Sequence, residues 1–151
     1  MRADAPEDRA LIEAARDVIR RTYDAVHENH TVGAAVRAGS GRIYLGVNVY
    51  NLHGSCAEYI AVGAAITAGE REITGVAAVR GPDGAELLSP CGNCRQMLAG
   101  YFPEAGVIVP GDGGPVKIRA SELLPHAYQT LPHTYHVDEA CDPRSADDAE
   151  K

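Results

Sequence analysis

The sequence predicts an α/β protein in which helices cover both faces of a central mixed sheet. Segments with helical periodicity alternate along the chain with short apolar segments of strand length, a pattern typical of layered α/β folds. The segment ITGVAAVRG is apolar almost throughout, which indicates a strand buried on both faces and hence a largely parallel sheet. A Gly-rich turn, AGSG, joins two further strands, so we also expect an antiparallel hairpin at one edge.

The first half of the chain is expected to form a helix, a hairpin and a second helix. Apolar residues recur at spacings of three and four over residues 6–29, which indicates an amphipathic helix. The segment TVGAAVRAGSGRIYLGVNVY predicts the two hairpin strands, and NLHGS predicts a loop. The second helix is expected from about Cys56 to Ala68, ending at Gly69.

The second half is expected to place further strands on either side of a third helix. ITGVAAVRG predicts the third strand, PDGAELLSP a loop and CGNCRQMLAGYF the helix. AGVIVP predicts a fourth strand, GPVKIR a weaker fifth one, and ASELLPHAY a short helical turn. The chain beyond Tyr128 is polar and contains proline, so we expect a folded domain over residues 1–128 and a flexible acidic tail over residues 129–151.

Composition excludes several classes of protein. The 151 residues, 45% of them hydrophobic, suffice for one domain with a core. The chain has no run of about 20 apolar residues, which excludes a membrane span, and its charged N-terminus lacks the apolar core of a secretion signal, so we expect a cytoplasmic protein. The net charge is −7, and the chain shows no basic stripe, which argues against nucleic acid as a partner.

Two cysteines, Cys91 and Cys94, stand three positions apart at the start of the predicted third helix. That spacing puts both thiols on one helix face, as two ligands of a tetrahedral zinc site require. A redox-active pair is the alternative, but this pair follows two helices, whereas thioredoxin-like pairs follow a first strand. Cys56 precedes the second predicted helix as Cys91 precedes the third. It is the candidate third ligand, and its alternative role is that of a small buried core residue.

Glu58 lies two residues after Cys56, at the start of an otherwise apolar helix. Burying a carboxylate is costly unless it has partners. Three protein ligands with one position open for water are typical of a catalytic zinc site, and zinc lowers the pKa of such a water toward about 7. A carboxylate beside the metal can then take a proton from the water and return it to the substrate. The alternative for Glu58 is a favourable acid in the first helical turn.

Cys-Ala-Glu at residues 56–58 followed by Pro-Cys-x-x-Cys at residues 90–94 resembles the motif of the zinc-dependent cytidine deaminases. The resemblance extends over residues 28–128, through VGAAV, GRIYLGVNVY, CAEYIAVGAA, LSPCGNCRQML and SELLPHAY. Within this family the chain is most similar to the blasticidin S deaminases, which also carry Asn-Val-Tyr before the zinc loop. The resemblance implies a three-layer α/β/α fold with a five-stranded mixed sheet.

The resemblance also implies a set of roles. Cys56, Cys91 and Cys94 would hold zinc, and Glu58 would move protons while the cytosine ring of a nucleoside or nucleoside analogue is converted to uracil and ammonia leaves. The backbone around Ala57 and Ser89 would hold the base edge. Tyr128, as a C-terminal aromatic residue, would stack on the ligand of a neighbouring subunit in a homotetramer. The residues implied to contact the substrate are Asn48, Tyr50, Ala57, Ser89 and Tyr128.

Two departures from the family pattern bear on the substrate and on the metal. Tyr50 stands where cytidine deaminases have a glutamate that grips the ribose, which favours a modified or bulkier sugar over cytidine and deoxycytidine. The alternative role of Tyr50 is that of an aromatic residue at a strand end. Tyr59 stands where the family often has an arginine that offsets the charge of three thiolates. Arg95 is the candidate to supply that charge, or else a helix-surface arginine.

Other residues are weaker candidates for the functional site. His53 in the NLHGS loop is expected to be an exposed loop histidine rather than a substrate or zinc contact, and we assign no function to His133 and His136. Cys141 is interpreted as a free thiol. In a competing hypothesis it closes a four-cysteine structural zinc site in a protein without catalysis, although such a site has no use for Glu58. A deaminase of nucleic acid is a third hypothesis, which the acidic charge disfavours.

Overall fold

The computed structural model describes residues 1–129, in which every predicted helix and strand is present. The first helix is shorter than predicted, since it ends at Thr22 rather than near residue 29. The segment predicted as a loop after the third strand contains an additional strand, and the predicted tail lies outside the described residues apart from Gln129. The elements are α1 (Pro6–Thr22), β1 (Val32–Ala38), β2 (Ile43–Val47), α2 (Ala57–Thr67), β3 (Ile73–Arg80), β4 (Glu86–Leu88), α3 (Gly92–Tyr101), β5 (Gly106–Val109), β6 (Val116–Arg119) and a 3₁₀ helix (Ala120–Leu123).

The sheet is mixed, as predicted, with five strands in the order β2-β1-β3-β5-β6 and the additional strand β4 paired with the end of β3. The expectation that it would be largely parallel is wrong. Only β3 and β5 pair in parallel among the described strands, whereas β1 runs antiparallel to both β2 and β3, and β6 runs antiparallel to β5. The hairpins β1–β2 and β5–β6 therefore flank a single parallel crossover from β3 to β5, which passes through β4 and α3.

The helices form layers on both faces of the sheet, and the strand residues alternate between them. Ala77 and Val79 of β3 pack toward α1, in a cluster with Leu11 and Ile19. The intervening residues of β3 pack on the opposite face, where the core includes buried side chains of α2 and α3. The two-sided burial predicted for ITGVAAVRG is thus confirmed, because this strand occupies the middle of the sheet.

Gly46 in β2 allows α2 to lie directly on the sheet. A Cβ atom at this position would stand 2.3 Å from the carbonyl oxygen of Ala57 and 2.5 Å from the backbone nitrogen of Ala61. Both distances are shorter than any ordinary van der Waals contact, so only glycine permits this approach. The contact fixes the first turn of α2, which carries Glu58.

Within residues 1–129 no helix combines the length and the apolar character that crossing a bilayer requires.

Candidate active site

Three cysteine side chains converge where α2 and α3 begin. Cys56 is the residue that precedes α2, Cys91 precedes α3, and Cys94 lies in the first turn of α3. Their Sγ atoms all lie within 4.8 Å of one another, and those of Cys56 and Cys91 are 3.6 Å apart. Spacing predicted the pair of Cys91 and Cys94, with Cys56 as the candidate third ligand, and the structure brings all three thiols together.

This cluster fits a zinc ion. A Zn–S bond of about 2.3 Å in tetrahedral geometry separates two ligand sulfurs by about 3.8 Å, close to the separation of Cys56 and Cys91. The cysteines are free thiols rather than disulfides. Three thiolates leave one of four tetrahedral positions for another ligand, the arrangement of a catalytic rather than a closed structural site.

The electrostatics of the three thiols differ. Burial, reinforced by the charges of Glu58 and of the two other cysteines, raises the pKa of the Cys94 thiol. Burial also raises the pKa of Cys56. At Cys91 burial acts in the same direction, but the backbone N–H groups of Cys94 and Asn93 and the neighbouring thiols favour the thiolate and lower its pKa overall. The first turn of α3 thus stabilises negative charge on Cys91, as a helix N-terminus does.

Glu58 is almost completely buried, with 5% of its surface exposed. Burial raises the pKa of its carboxyl group above the usual range, while its own backbone N–H and the Cys94 thiol act against that shift. The carboxyl group therefore lies beside the sulfur cluster. A buried carboxyl group beside a metal site is suited to holding and releasing a proton.

The cluster opens into a cleft of about 370 Å³, within the size range of pockets for small molecules. Cys56, Glu58 and Cys91 lie at its metal-binding end. The remaining lining residues come from β1, from the segment between β2 and α2, from the first residue of α2, and from the end of β4 and the residue after it. None of the side chains that line this cleft within residues 1–129 is basic.

Four of the five residues expected to contact the substrate line this cleft. They are Asn48, Tyr50, Ala57 and Ser89. Asn48 is buried, and its Oδ1 accepts a hydrogen bond from the backbone of Val32 at 2.9 Å, so part of this side chain holds the cleft wall together. Tyr50 is 63% exposed and extends from the wall toward solvent.

Tyr128 is not among the residues that line this cleft. Its side chain is 75% exposed. Its backbone nitrogen and oxygen are both hydrogen-bonded to the side chain of Gln96 on α3. The structure therefore holds the backbone of Tyr128 in place and leaves its ring available to a neighbouring molecule.

Arg95 spans two backbone carbonyl groups. Its Nε donates to the oxygen of Pro90 at 2.8 Å, and its Nη1 donates to the oxygen of Leu123 at 3.3 Å. The first of these bonds reaches the residue directly before Cys91. Arg95 therefore ties the metal-binding turn to the end of the 3₁₀ helix, a role that the sequence did not indicate.

Sequence reasoning missed other parts of the site. Strand β4 carries Leu88 and leads into Ser89, both of which line the cleft; its three residues are too few for a periodic pattern to reveal. Val32 and Ser55 also line it. His53 is exposed and is not among the lining residues. The residues His133, His136 and Cys141 lie outside the described part of the chain.

Known proteins are similar to this chain in sequence and in structure. Residues 5–108 match the family model of the cytidine and deoxycytidylate deaminase zinc-binding region. A blasticidin-S deaminase from Bacillus cereus is 34% identical over 81% of this chain and 92% of its own length. A cytidine deaminase from Sporosarcina psychrophila is also 34% identical, over 85% of this chain and 96% of its own length. The crystal structure of cytidine deaminase from Burkholderia pseudomallei, 34% identical, superposes with a TM-score of 0.64 over 80% of this chain and 98% of that one.

Proposed function

The chain belongs to the cytidine and deoxycytidylate deaminase family, and on this premise we propose that it deaminates the cytosine ring of a nucleoside or nucleoside analogue by hydrolysis. The observation that carries this proposal is the position of Glu58, a buried carboxyl group beside three convergent thiols at the end of the cleft. Zinc held by Cys56, Cys91 and Cys94 would lower the pKa of a water molecule and so supply the nucleophile.

Glu58 moves the protons in the proposed reaction. Its carboxylate accepts a proton from the attacking water and passes it to N3 of the cytosine ring as the new C4–O bond forms. The hydroxyl group now on C4 then gives up its proton, which Glu58 passes to the exocyclic amino group, so that the C4–N bond breaks as the C4 carbonyl forms and ammonia leaves. Cytosine and water thereby become uracil and ammonia. The low exposure of Glu58 keeps bulk water from competing for these protons.

The lining of the cleft supports a substrate without a phosphate group. Proteins bind phosphate with arginine, lysine or a cluster of backbone N–H groups, and none of the side chains lining the cleft in residues 1–129 is basic. Ala57 and Ser89 both line the cleft, and in this proposal their backbones hold the polar edge of the base. We therefore favour nucleosides over nucleotides.

The sugar preference rests on Tyr50. A tyrosine offers one hydroxyl group where a glutamate offers two charged acceptor oxygens, so the ordinary grip on ribose is weakened. This favours an analogue of the blasticidin S type, with cytidine and deoxycytidine as the alternative. The identities of 34% to a blasticidin-S deaminase and to a cytidine deaminase are the same, so percentage identity does not separate these substrates.

The exposed ring of Tyr128 supports a shared site in a homotetramer. Tyr128 is held by α3 but lies outside the cleft of its own subunit, so its ring is available to stack on a base bound by a neighbouring subunit. The proposal also places the protein in the cytoplasm, because a reducing compartment keeps Cys56, Cys91 and Cys94 available as zinc ligands.

The test is deamination followed by ultraviolet absorbance, with the zinc-loaded protein and one candidate substrate in each cuvette. Cytidine, deoxycytidine, deoxycytidine monophosphate, cytosine and blasticidin S are the candidates, and Glu58→Ala is the control. Turnover of blasticidin S alone supports the analogue preference, whereas turnover of cytidine supports the alternative. We expect Glu58→Ala to retain zinc and to lose at least about a hundredfold in kcat. A zinc-loaded protein that deaminates none of the five compounds contradicts the proposed function.

A further inference from the structure

Gln96 fastens the backbone of Tyr128 to α3 through both of its amide atoms. Its Nε2 donates to the carbonyl oxygen of Tyr128 at 3.0 Å, and its Oε1 accepts from the backbone nitrogen of Tyr128 at 3.1 Å. The preceding residue, Arg95, holds the same segment at the carbonyl oxygen of Leu123. Two consecutive side chains of α3 thus attach the chain that follows the 3₁₀ helix.

The backbone before Tyr128 adopts a conformation that needs such support. His126 has a φ of 57°, in the left-handed region that residues with a side chain rarely adopt. Contacts that fix the neighbouring backbone help to hold this turn. Those of Gln96 occur two residues later and act on both backbone polar groups of Tyr128.

These hydrogen bonds fix the backbone of a residue whose ring adds little to the packing of its own subunit. The side chain of Tyr128 is 75% exposed, so burial of the aromatic ring does not explain why its backbone is fixed. A rigid backbone with an exposed ring is, however, what stacking on a ligand of another subunit requires, because less conformational freedom is then lost on binding.

We propose that Gln96 is a positioning residue for substrate binding, which acts by holding the ring of Tyr128 in the orientation that stacks on the base in the neighbouring subunit. This inference rests on the proposed function. It gives α3 two roles, since Cys94 contributes to the metal site of its own subunit while Gln96, two residues later, serves the site of another.

Two substitutions of Gln96 separate this role from general stability. Gln96→Ala removes both hydrogen bonds. Gln96→Glu keeps the length of the side chain and can still accept from the nitrogen of Tyr128, but its carboxylate cannot donate to the carbonyl oxygen. Gln129→Ala is the matched control, because the side chain of Gln129 bonds to the carbonyl oxygen of Ala127 and not to α3.

The experiment measures kcat and KM with cytidine or blasticidin S, whichever the unaltered protein deaminates, together with zinc content and thermal midpoint. We expect both Gln96 variants to raise KM, by about tenfold for Gln96→Ala, the scale of a lost base–aromatic contact, with kcat changed less than twofold and zinc content unchanged. Gln129→Ala should leave both constants unchanged. Tyr128→Ala should raise KM at least as much as Gln96→Ala.

A double variant decides whether Gln96 acts through the ring. If it does, Gln96→Ala combined with Tyr128→Ala has the KM of Tyr128→Ala alone. Independent, multiplicative effects of the two substitutions on KM overturn the inference, as does an unchanged KM in an active Gln96→Ala protein. If Gln96→Ala does not fold, Gln96→Glu provides the same comparison. An inactive unaltered protein contradicts the proposed function itself and is thereby distinguished from a failure at Gln96 alone.

Discussion

The hydroxyl group of Tyr59 donates a hydrogen bond to Oδ1 of Asn93 at 3.2 Å. Tyr59 follows Glu58 in the first turn of α2, and Asn93 lies between Cys91 and Cys94 in the first turn of α3. This bond therefore joins the two helix starts that carry the metal ligands. Neither side chain is charged, so the brace between the two helix starts is neutral.

Removing the hydroxyl group of Tyr59 should weaken zinc binding without abolishing it. A hydrogen bond of this kind contributes about 1 kcal/mol, so we expect Tyr59→Phe to raise the dissociation constant for zinc about fivefold, measured by competition with a chelator. Asn93→Ala should have a similar effect. Because both substitutions remove the same hydrogen bond, the double variant should bind zinc no more weakly than either single variant. Wild-type zinc affinity in both single variants would show that the brace does not support the metal site.

Gly46→Ala should disrupt the site from a position on β2. Its Cβ would stand 2.3 Å from the oxygen of Ala57, so α2 must move away from the sheet. We expect a loss of about 1–3 kcal/mol in the free energy of unfolding, the range for overpacked cores, measured by urea denaturation, together with lower zinc occupancy. Gly100→Ala is the control, since a Cβ there has no atom within 4 Å; equal losses in the two variants would contradict this explanation.

Substitutions of Arg95 can distinguish a role of its positive charge from a role of its hydrogen bonds to two carbonyl groups. Lysine keeps the positive charge but lacks the planar group that reaches Pro90 and Leu123 together. If the bridge is what matters, Arg95→Lys and Arg95→Met should destabilise the protein by similar amounts, about 1–2 kcal/mol, and both should lose zinc faster in a chelator. Retention of wild-type zinc affinity by Arg95→Lys alone would instead support the interpretation of Arg95 as electrostatic support for the thiolates.

Tyr50→Glu should improve the deamination of cytidine. A carboxylate at this position of the cleft wall can accept hydrogen bonds from ribose hydroxyl groups, and bonds to charged groups contribute about 1.5–3 kcal/mol. We expect kcat/KM for cytidine to rise about tenfold while that for blasticidin S falls. Tyr50→Phe, which loses only the hydroxyl group, should not improve cytidine turnover. No gain in Tyr50→Glu would remove the basis for assigning sugar preference to this residue.

The stability of the protein should depend on pH through Glu70. Hydrogen bonds from the hydroxyl groups of Ser40 at 2.6 Å and Tyr44 at 2.9 Å lower the pKa of its carboxyl group. Because the pKa is lower in the folded state, ionised Glu70 stabilises the folded state at pH values above the pKa of the unfolded chain, about 4.3. That contribution is lost as the pH falls through the pKa of the folded state.

We therefore expect urea denaturation to show a stability difference between the unaltered protein and Glu70→Gln that is largest near neutral pH and shrinks in acid. Tyr44→Phe should reduce the same pH dependence, since it removes one of the two donors. A difference that is constant across this pH range would mean that the ionisation of Glu70 does not contribute.

The sequence alone determined most elements of the fold and the residue types of the metal site. Apolar periodicity predicted three helices and five strands, because periods near 3.6 and 2 reflect local backbone geometry. The spacing of Cys91 and Cys94, with Cys56 and Glu58 at another helix start, predicted a zinc site with an adjacent acid. The pair of Cys91 and Cys94 could be predicted because ligand spacing within one helical turn is a local property, whereas the convergence of Cys56 with that pair is seen only in the folded structure.

Strand direction, the strand β4 and the contacts between side chains were decided only by the tertiary structure. The sequence predicted a largely parallel sheet, yet the order β2-β1-β3-β5-β6 leaves one parallel pair among the described strands. Strand β4 has three residues and exists because β3 extends beyond its pairing with β5. The bridges from Arg95 to Leu123 and from Gln96 to Tyr128 join residues about thirty positions apart. No local pattern encodes them, because they depend on where the folded chain returns to α3.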